Sequence, residues 1–342
     1  MSSFYQQIPD DHHDFRKLGP HPGCDFEDMR LDAYLALRFR FLSRVGWQKK
    51  IRQGEVVLNG DSCKRAHRRL KENDYIQYYC PQSSEPDVDT NLKRVWEGDG
   101  VLAVCKTPNL PMHEAGVYRL NTFCRAVADL FDPKWAAVHR LDRETSGIVL
   151  CAVPEYRNDL CAALRERRMQ KIYLAIGYGT PPSKKWLVDQ PLGNVPVQGG
   201  IRTQHGVIAG GAESQTTFEV MATAGQYCLM KVQPHTGRTH QIRIHAAWSG
   251  LPLVGDKRYQ EDPSLYAEYL DQGFTDRIRK FCLYDRLCLH ATALTFEHPV
   301  RNEMVTVEAP MPEDMIDIWC DLGGNRDDVV SAIDFCVDDD DC

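Results

Sequence analysis

An aspartate set among arginines is the residue of this chain whose surroundings best suit chemistry. Asp142 lies between Arg140 and Arg143, directly ahead of the apolar residues 148–150. Nearby cations favour the charged form of a carboxyl group, so we expect Asp142 to stay ionised. An ionised carboxylate suits a nucleophilic or electrostatic role better than that of a proton donor. Asp142 is therefore the first candidate catalytic residue.

Two other stretches carry polar side chains of useful types. Lys171 and Tyr173 alternate in an apolar, strand-like run, so the sequence predicts that both lie on one face of a strand. Gln241, Arg243 and His245 alternate in the same way, which predicts a strand or strand-like element with all three on one face. Tyr173 also offers a flat aromatic surface and a hydroxyl group.

The spacing of apolar residues predicts the elements that must position these groups. Helices are predicted for residues 29–41, 120–130 and 154–169, within 261–285, and from an N-cap at Ser43 with Val45, Trp47 and Ile51 on the buried side. Strands are predicted for residues 55–58, 75–79, 95–106 as a hairpin, 171–176, 216–220, 227–232, 287–296 and 305–309.

Charge is distributed unevenly along the 342 residues, whose net charge is -7. From Arg38 to Lys71, eleven Lys and Arg stand against two acidic residues, whereas from Glu313 to Cys342 eleven acidic residues stand against one arginine. A local basic patch, rather than the overall charge, is what meets phosphates. The first region is therefore a candidate nucleic-acid surface, and an ordinary solvated face is the alternative.

Composition argues against several classes. No apolar run reaches the roughly 18–20 residues of a membrane helix, and the N-terminus lacks a signal-peptide pattern. The thirteen cysteines are scattered, without a C-x-x-C pair or a Cys/His cluster, so we expect reduced thiols and no metal site. These features predict a soluble, cytoplasmic protein without a membrane partner.

Shifts in composition divide the chain into five segments. They are a flexible N-terminal segment 1–26, a small basic domain 27–80, a linker 81–91, a large domain 92–311 and an acidic, solvated tail 312–342. Within the large domain, the glycine-rich residues 194–211 predict either a mobile loop able to close over a ligand or an ordinary surface loop.

The motifs along the large domain resemble those of one family. Residues 139–147, His-Arg-Leu-Asp-Arg-Glu-Thr-Ser-Gly, resemble the H-R-L-D-x-x-T-S-G signature of the RluA-type pseudouridine synthases. Further matches follow in the family's order at 171–173, 237–245, 255–259, 289–291 and 298–299. At 106–113 the chain departs from the family's K-P-x-G-L-x-x-H, since Asn109 stands at the glycine position. Asn tolerates positive φ, so the turn is expected to survive.

The resemblance implies an α+β fold, with a mixed, mainly antiparallel sheet flanked by helices and loops. The domain 27–80, with two helices and an Asn59-Gly60 turn, resembles the small RNA-binding domain named after ribosomal protein S4. Its expected RNA-binding residues are Arg44, Lys49, Lys50, Arg52, Lys64, Arg68 and Arg69.

The family's reaction isomerises uridine to pseudouridine in structured RNA. It breaks the C1′–N bond, turns the uracil and forms a C1′–C5 bond, and it needs no cofactor. Asp142 is expected either to attack C1′ or to remove the 2′ proton. The resemblance makes Arg243 its partner, gripping the carboxylate through a bidentate fork, in preference to Arg238. Tyr173 is expected to stack under the uracil, with a half-buried core tyrosine as the alternative.

The remaining polar residues receive supporting roles. Because a stacked base is hidden, the nucleotide must be extruded, and Arg140 is expected to occupy the space it leaves, unless it only pairs with Asp142. Lys171 is expected to contact a phosphate, Arg238 to contact a phosphate or to stabilise its turn, and His139 to make a structural hydrogen bond.

The partner implied is RNA, with large-subunit ribosomal RNA favoured over transfer RNA, and the protein is expected to be a monomer. Two other classes remain open. One is a catalytically silent RNA-binding or ribosome-assembly protein, and the other is a glycosidic hydrolase that would use Glu144 as its second carboxylate.

Overall fold

A computed structural model of the protein describes residues 15–17, 26–39, 42–79, 85–115, 118–196 and 204–329. The chain divides into two compact units, the N-terminal unit Met1–Pro86 and the C-terminal unit Asp87–Cys342. Most of the predicted segment 1–26 and the last residues, 330–342, lie outside the described residues. Within the described ranges, no helix is long and apolar enough to cross a bilayer.

The N-terminal unit packs two helices against a small sheet. Its elements are β1 (Phe15–Lys17), α1 (Leu31–Arg38), α2 (Arg44–Arg52), β2 (Val56–Leu58), β3 (Asp61–Ser62) and β4 (Ile76–Tyr79). The strands run in the order β1-β4-β2-β3, and all pairings are antiparallel. The sequence placed no regular structure before residue 27, which is wrong for β1.

Helix α2 shows how far spacing predicts burial. Its N-cap is Ser43, whose hydroxyl accepts a hydrogen bond from the Gly46 N–H. Trp47 and Ile51 are fully buried, as predicted, but Val45 is 71% exposed, so its predicted burial is wrong. Residues four apart share a helix face, whereas Val45 lies two positions before Trp47 and points elsewhere.

The C-terminal unit is built on one large sheet. Its strands are β5 (Lys93–Gly98), β6 (Val101–Lys106), β7 (Ala136–Ala137), β8 (Ser146–Ala152), β9 (Gln170–Tyr178), β10 (Lys185–Asp189), β11 (Leu192–Val195), β12 (Gln204–Val207), β13 (Gln215–Ala224), β14 (Tyr227–Pro234), β15 (Leu289–Glu297) and β16 (Met304–Glu308). The main path of the large sheet runs β10-β13-β14-β9-β15-β8-β6-β5, with β16 beside β15 and β7 beside β8. Strands β11 and β12 pair with each other in a separate two-stranded sheet. Among the described strands only β8 and β15 pair in parallel.

Strand β8 is buried along its whole length. A central strand covered on both faces has to be apolar throughout rather than alternating, which is why residues 148–150 follow the polar loop so abruptly. Close approach to β15 also requires Gly147. At its φ of 113° a Cβ atom would lie 2.3 Å from the Ala291 carbonyl oxygen. The loop that carries Asp142 therefore ends on a rigid support.

The described part of the C-terminal unit has six helices besides its strands. They are α3 (Phe123–Leu130), α4 (Pro154–Arg165), α5 (Gln241–Trp248), α6 (Ser264–Gln272), α7 (Asp276–Cys282) and α8 (Glu313–Asp321). Helix α8 corrects the prediction of a solvated acidic tail from residue 312 onward. Its Met315 and Trp319, four residues apart, are completely buried, while its carboxylates face outward. Amphipathic spacing outweighed the acidic composition here.

Helix α5 corrects a second prediction, because a strand was expected there. Residues 241 and 245 lie one helical turn apart, and both side chains meet the Thr216 hydroxyl: Gln241 Nε2 donates to it at 2.9 Å, and His245 Nδ1 lies 2.8 Å from it. Arg243 points in another direction. The alternation of three polar residues was too short to separate the two periods.

Two loops bear on earlier expectations. Asn109 has a φ of 59°, so the turn expected with Asn in the glycine position is present. The glycine-rich stretch 194–211 includes the end of β11 and the whole of its paired strand β12. Residues 197–203, with two of the five glycines of the stretch, lie outside the described residues.

Candidate active site

A cleft of about 510 Å³ opens on the C-terminal unit. Asp142, Tyr173 and Arg243 all line it, from the loop between β7 and β8, from β9 and from α5 respectively. The cleft also holds the three residues expected to contact RNA beside them, namely Arg140, Lys171 and Arg238. Segments a hundred residues apart in sequence thus meet in one concave surface.

The loop that carries Asp142 is tied down through its backbone. The Thr145 N–H donates to the Asp142 carbonyl at 3.2 Å, closing a turn. Beneath the loop, the buried Lys106 ammonium donates to the carbonyl oxygens of Thr107, Leu110 and Arg143 at 2.8–3.0 Å. These bonds fix the loop while leaving the Asp142 side chain out of the network.

His139 supports the start of this loop. Its Nε2 accepts a hydrogen bond from the Leu150 N–H at 3.0 Å. Burial lowers the pKa of His139 to about 4, so the ring is neutral and able to accept. The structural hydrogen bond expected of His139 is present.

The Asp142 carboxylate is partly exposed in the cleft, with 22% of its side chain accessible. Its Oδ2 lies 3.6 Å from Arg243 Nη1, and its Oδ1 lies 3.8 Å from His240 Nε2. The flanking arginines do not pair with it. Arg143 donates to the Tyr118 hydroxyl at 3.2 Å, and Arg140 is exposed. The predicted charge partners of Asp142 are thus corrected.

The bidentate fork predicted between Arg243 and Asp142 joins Arg243 to another carboxylate. Nε and Nη2 of Arg243 donate to the two oxygens of Asp256 at 2.7 and 2.8 Å. Both side chains are almost completely buried. Only Nη1 is turned toward Asp142. The ion pair with Asp256 therefore fixes the position from which the guanidinium reaches the cleft.

A second buried carboxylate, that of Glu144, also helps to hold Arg243 in place. Glu144 lies 3.3 Å from Arg243 Nη2 and 3.0 Å from Lys257 Nζ. Burial alone would raise the pKa of Glu144, but the two cations outweigh it and hold the pKa below its ordinary value. Similarly, Arg243 outweighs burial and holds the pKa of Asp256 below its ordinary value. Both carboxylates are therefore ionised and engaged in buried ion pairs.

Tyr173 and Lys171 extend from β9 into the cleft. Tyr173 is 9% exposed, and burial, aided by the Asp142 charge, raises the pKa of its phenol, which stays protonated. Burial lowers the pKa of Lys171, and among the described residues no carboxylate forms an ion pair with it. On the cleft rim, Arg238 Nε donates to the Glu213 carbonyl at 3.1 Å.

The seven basic residues singled out in the N-terminal unit fall into two groups. Four have acidic partners in the same unit: Arg44 with Asp32, Lys50 with Glu55, Arg68 with Asp74 and Arg69 with Asp28. Lys49, Arg52 and Lys64 are exposed, and within the described part of the chain none of them pairs with a carboxylate. The charge count alone did not separate these groups.

Comparison with known proteins identifies the family. A family profile described as RNA pseudouridylate synthase matches residues 100–248, which include Asp142, Tyr173 and Arg243. An RNA pseudouridine synthase of Synechocystis sp., itself described as uncharacterized, is 31% identical over 299 residues, 83% of this chain and 86% of the relative. This chain belongs to the RNA pseudouridine synthase family.

Two further comparisons agree with this. The ribosomal large subunit pseudouridine synthase D of Vibrio parahaemolyticus is 31% identical over 299 residues, 84% of this chain and 89% of that protein. The solved structure of human RNA pseudouridylate synthase domain containing 4 matches with a TM-score of 0.53 at 22% identity, covering 67% of this chain and 92% of that one. The predicted RluA-type family, α+β fold and isomerase activity are confirmed.

Membership in the pseudouridine synthase family sets aside both other classes. The chain is an enzyme rather than a silent RNA-binding protein, and it acts on RNA uridine rather than as a hydrolase. The site agrees, because a hydrolase would need a protonated second acid, whereas Glu144 is ionised between two cations.

Several residues of this pseudouridine synthase site had no role assigned from sequence. They are Lys106, His240, Asp256 and Tyr259. The last three lie within the matched motifs, and Lys106 begins the stretch 106–113 that departs from the family pattern; these positions were the one available signal. Motif spacing cannot show that Asp256 faces Arg243, or that Lys106 reaches under the Asp142 loop. Those contacts arise only when separate segments fold together.

Proposed function

We propose that Asp142 is the carboxylate that reacts with the ribose of the target uridine. The observation that supports this most is its accessibility. Asp142 is the acid of the cleft whose oxygens face two nitrogen groups without reaching hydrogen-bond distance of either. Glu144 and Asp256 are buried in ion pairs. Attack on C1′ and removal of the 2′ proton both require such a carboxylate beside the ribose.

The neighbouring side chains complete the proposal. Arg243, which is held in place by Asp256, stabilises the negative charge of Asp142. The Tyr173 ring stacks beneath the uracil. Arg140, exposed on the same loop, fills the space left by the extruded nucleotide. The unpaired ammonium of Lys171 and the guanidinium of Arg238 contact the flanking phosphates.

The assignment of Asp142 is tested by Asp142→Asn, which keeps the shape and removes the charge. We expect the single-turnover rate of pseudouridine formation to fall by at least about 100-fold while RNA affinity is retained. The rate is measured by chemical labelling and mass spectrometry. Asp159→Asn, at an exposed position on α4, is the matched control and should keep the parent rate. Parent-like activity of Asp142→Asn would refute the assignment.

For the N-terminal unit we propose an S4-like RNA-binding role. This unit, with two helices on a small antiparallel sheet, exposes Lys49, Arg52 and Lys64, which have no carboxylate partner among the described residues and suit phosphate contacts. The four cations with acidic partners contribute less, because RNA phosphates must compete with carboxylates already in place. This ranks the seven basic residues named from the sequence.

Charge reversal tests the RNA-binding role of the N-terminal unit. Lys49→Glu combined with Lys64→Glu should weaken RNA binding and flatten the plot of log affinity against log salt by roughly two units, about one per lost phosphate contact. The control pair is Lys184→Glu with Lys280→Glu, two exposed lysines of the C-terminal unit. Equal salt slopes for both pairs would remove the proposed role.

We further propose that the target uridine lies in large-subunit ribosomal RNA. The support is the relative in Vibrio parahaemolyticus, whose name states that substrate and which is similar over most of both chains. Pseudouridine mapping in cells with and without the gene tests the proposal. A site lost from transfer RNA alone would instead establish the second-ranked substrate.

A further inference from the structure

His240 occupies an unusual backbone position at the edge of the cleft. Its φ of 56° is left-handed, a conformation that few residues other than glycine adopt without cost. Such strain persists where the surroundings hold a side chain in one place, often at a functional site. Here the imidazole is directed at the cleft, with Nε2 3.8 Å from Oδ1 of Asp142.

The two oxygens of Asp142 therefore have different neighbours. Oδ2 faces the Arg243 guanidinium at 3.6 Å, and Oδ1 faces the His240 imidazole. A guanidinium always offers N–H groups, whereas an imidazole nitrogen offers either an N–H or a lone pair, according to its tautomer. The tautomer of His240 thus decides whether it attracts or repels the carboxylate.

The other ring nitrogen has a partner that can set that tautomer. His240 Nδ1 lies 2.7 Å from the Tyr259 hydroxyl. Burial raises the pKa of Tyr259, so the phenol keeps its proton and can donate. Burial also lowers the pKa of His240 to about 4, although Asp142 opposes this, so the neutral ring carries a single proton. When the Tyr259 hydroxyl donates to Nδ1, that proton is on Nε2, and the Asp142 carboxylate beside Nε2 favours this arrangement.

We propose that His240 is a positioning residue whose Nε2–H, set by the Tyr259 hydroxyl, holds Oδ1 of Asp142 during the reaction. This rests on the proposed function of Asp142. The free enzyme leaves the contact just beyond hydrogen-bond length, and the entering nucleotide closes it by excluding water. Arg243 and His240 together then fix the plane of the carboxylate, so that it meets the ribose in one orientation.

Three substitutions at position 240 test the proposal. His240→Phe keeps the size of the ring and removes the donor. His240→Asn is the variant least affected in folding, because Asn tolerates the left-handed backbone. Its amide is too short to reach Asp142, so it also removes the donor. His240→Gln places an amide N–H near the original Nε2 position. Thermal unfolding confirms that each variant is folded before its activity is compared.

A hydrogen bond to a charged group corresponds to a loss of roughly 10- to 100-fold in single-turnover rate for His240→Phe and His240→Asn. RNA affinity should stay within about twofold, and His240→Gln should recover most of the rate. Tyr259→Phe removes the hydroxyl that sets the His240 tautomer, and it should lower the single-turnover rate by up to about tenfold. A purely structural role predicts no recovery with Gln.

Full activity of folded His240→Phe or His240→Asn would overturn the inference, and so would a Gln variant as slow as Phe. Asp142→Asn measured alongside separates the two proposals. If Asp142→Asn is active, the proposed function fails. If it is inactive while the position-240 variants are unimpaired, only the role of His240 fails.

Discussion

Of the three carboxylates near the Arg243 guanidinium, Asp256 and Asp142 are held very differently. Asp256 is buried and accepts two hydrogen bonds from it at 2.7 and 2.8 Å. Asp142 is partly exposed and lies 3.6 Å from the remaining nitrogen. A carboxylate saturated with hydrogen bonds anchors a structure, whereas one left short of them keeps lone pairs free for chemistry. The same arginine thus serves an anchor and a candidate reacting group.

The anchor of Arg243, Asp256, is also fixed by its own backbone. Gly255, just before Asp256, has a φ of 78°, and a Cβ atom there would lie 1.7 Å from the Arg286 carbonyl oxygen. The N–H groups of Arg258 and Tyr259 also donate to Asp256. Asp256 is thus held more rigidly than Asp142.

The largest expected effect comes from breaking the anchor. Asp256→Ala leaves the buried Arg243 without its bidentate partner, and we expect the free energy of unfolding to fall by about 3–5 kcal/mol. Asp142→Ala removes only a loose, partly exposed neighbour and should change it by less than about 1 kcal/mol. Urea denaturation of both variants measures the contrast. Equal losses would show that the two acids do not differ as described.

An intermediate effect is expected at Lys106, the buried cation beneath the Asp142 loop. Burial lowers the pKa of Lys106 to about 7, while in the unfolded chain the side chain titrates near its ordinary value. Between these values the unfolded state binds the extra proton, so the stability due to this group rises as pH rises. The rise should reach up to roughly 2 kcal/mol between pH 7 and pH 9.

Lys106→Met provides the comparison for that pH dependence. Urea denaturation across the same range should give the parent a steeper increase in stability than the variant, because the variant has no titrating group there. Parallel curves would mean that the ammonium stays charged up to high pH, held by its three carbonyl acceptors. The anchor carboxylates, already ionised at pH 7, contribute no slope in this range.

The residues that line the cleft could be predicted from the sequence more completely than the contacts that anchor Arg243. Asp142, Tyr173 and Arg243 were selected together because residue type and motif identify groups that react. The partner of Arg243 was assigned wrongly, because a motif shows that Asp256 is present but not which guanidinium it faces. The helix α5 and the packed helix α8 were missed for a related reason, since burial against distant segments outweighed a short alternation and an acidic composition.

The smallest expected effect lies at the far end of the Asp142 loop, where Arg286 links Ser146 to α8. Arg286 donates from Nη2 to the Ser146 hydroxyl at 2.6 Å and from Nε to Asp314 at 2.8 Å. Because the Asp314 side chain is 47% exposed, water replaces much of what Asp314→Asn removes. Thermal unfolding should show a loss below about 1 kcal/mol and single-turnover assays an unchanged rate. A loss as large as that of Asp256→Ala would mean that burial does not rank these ion pairs, and the distinction between anchor and cleft would lose its physical basis.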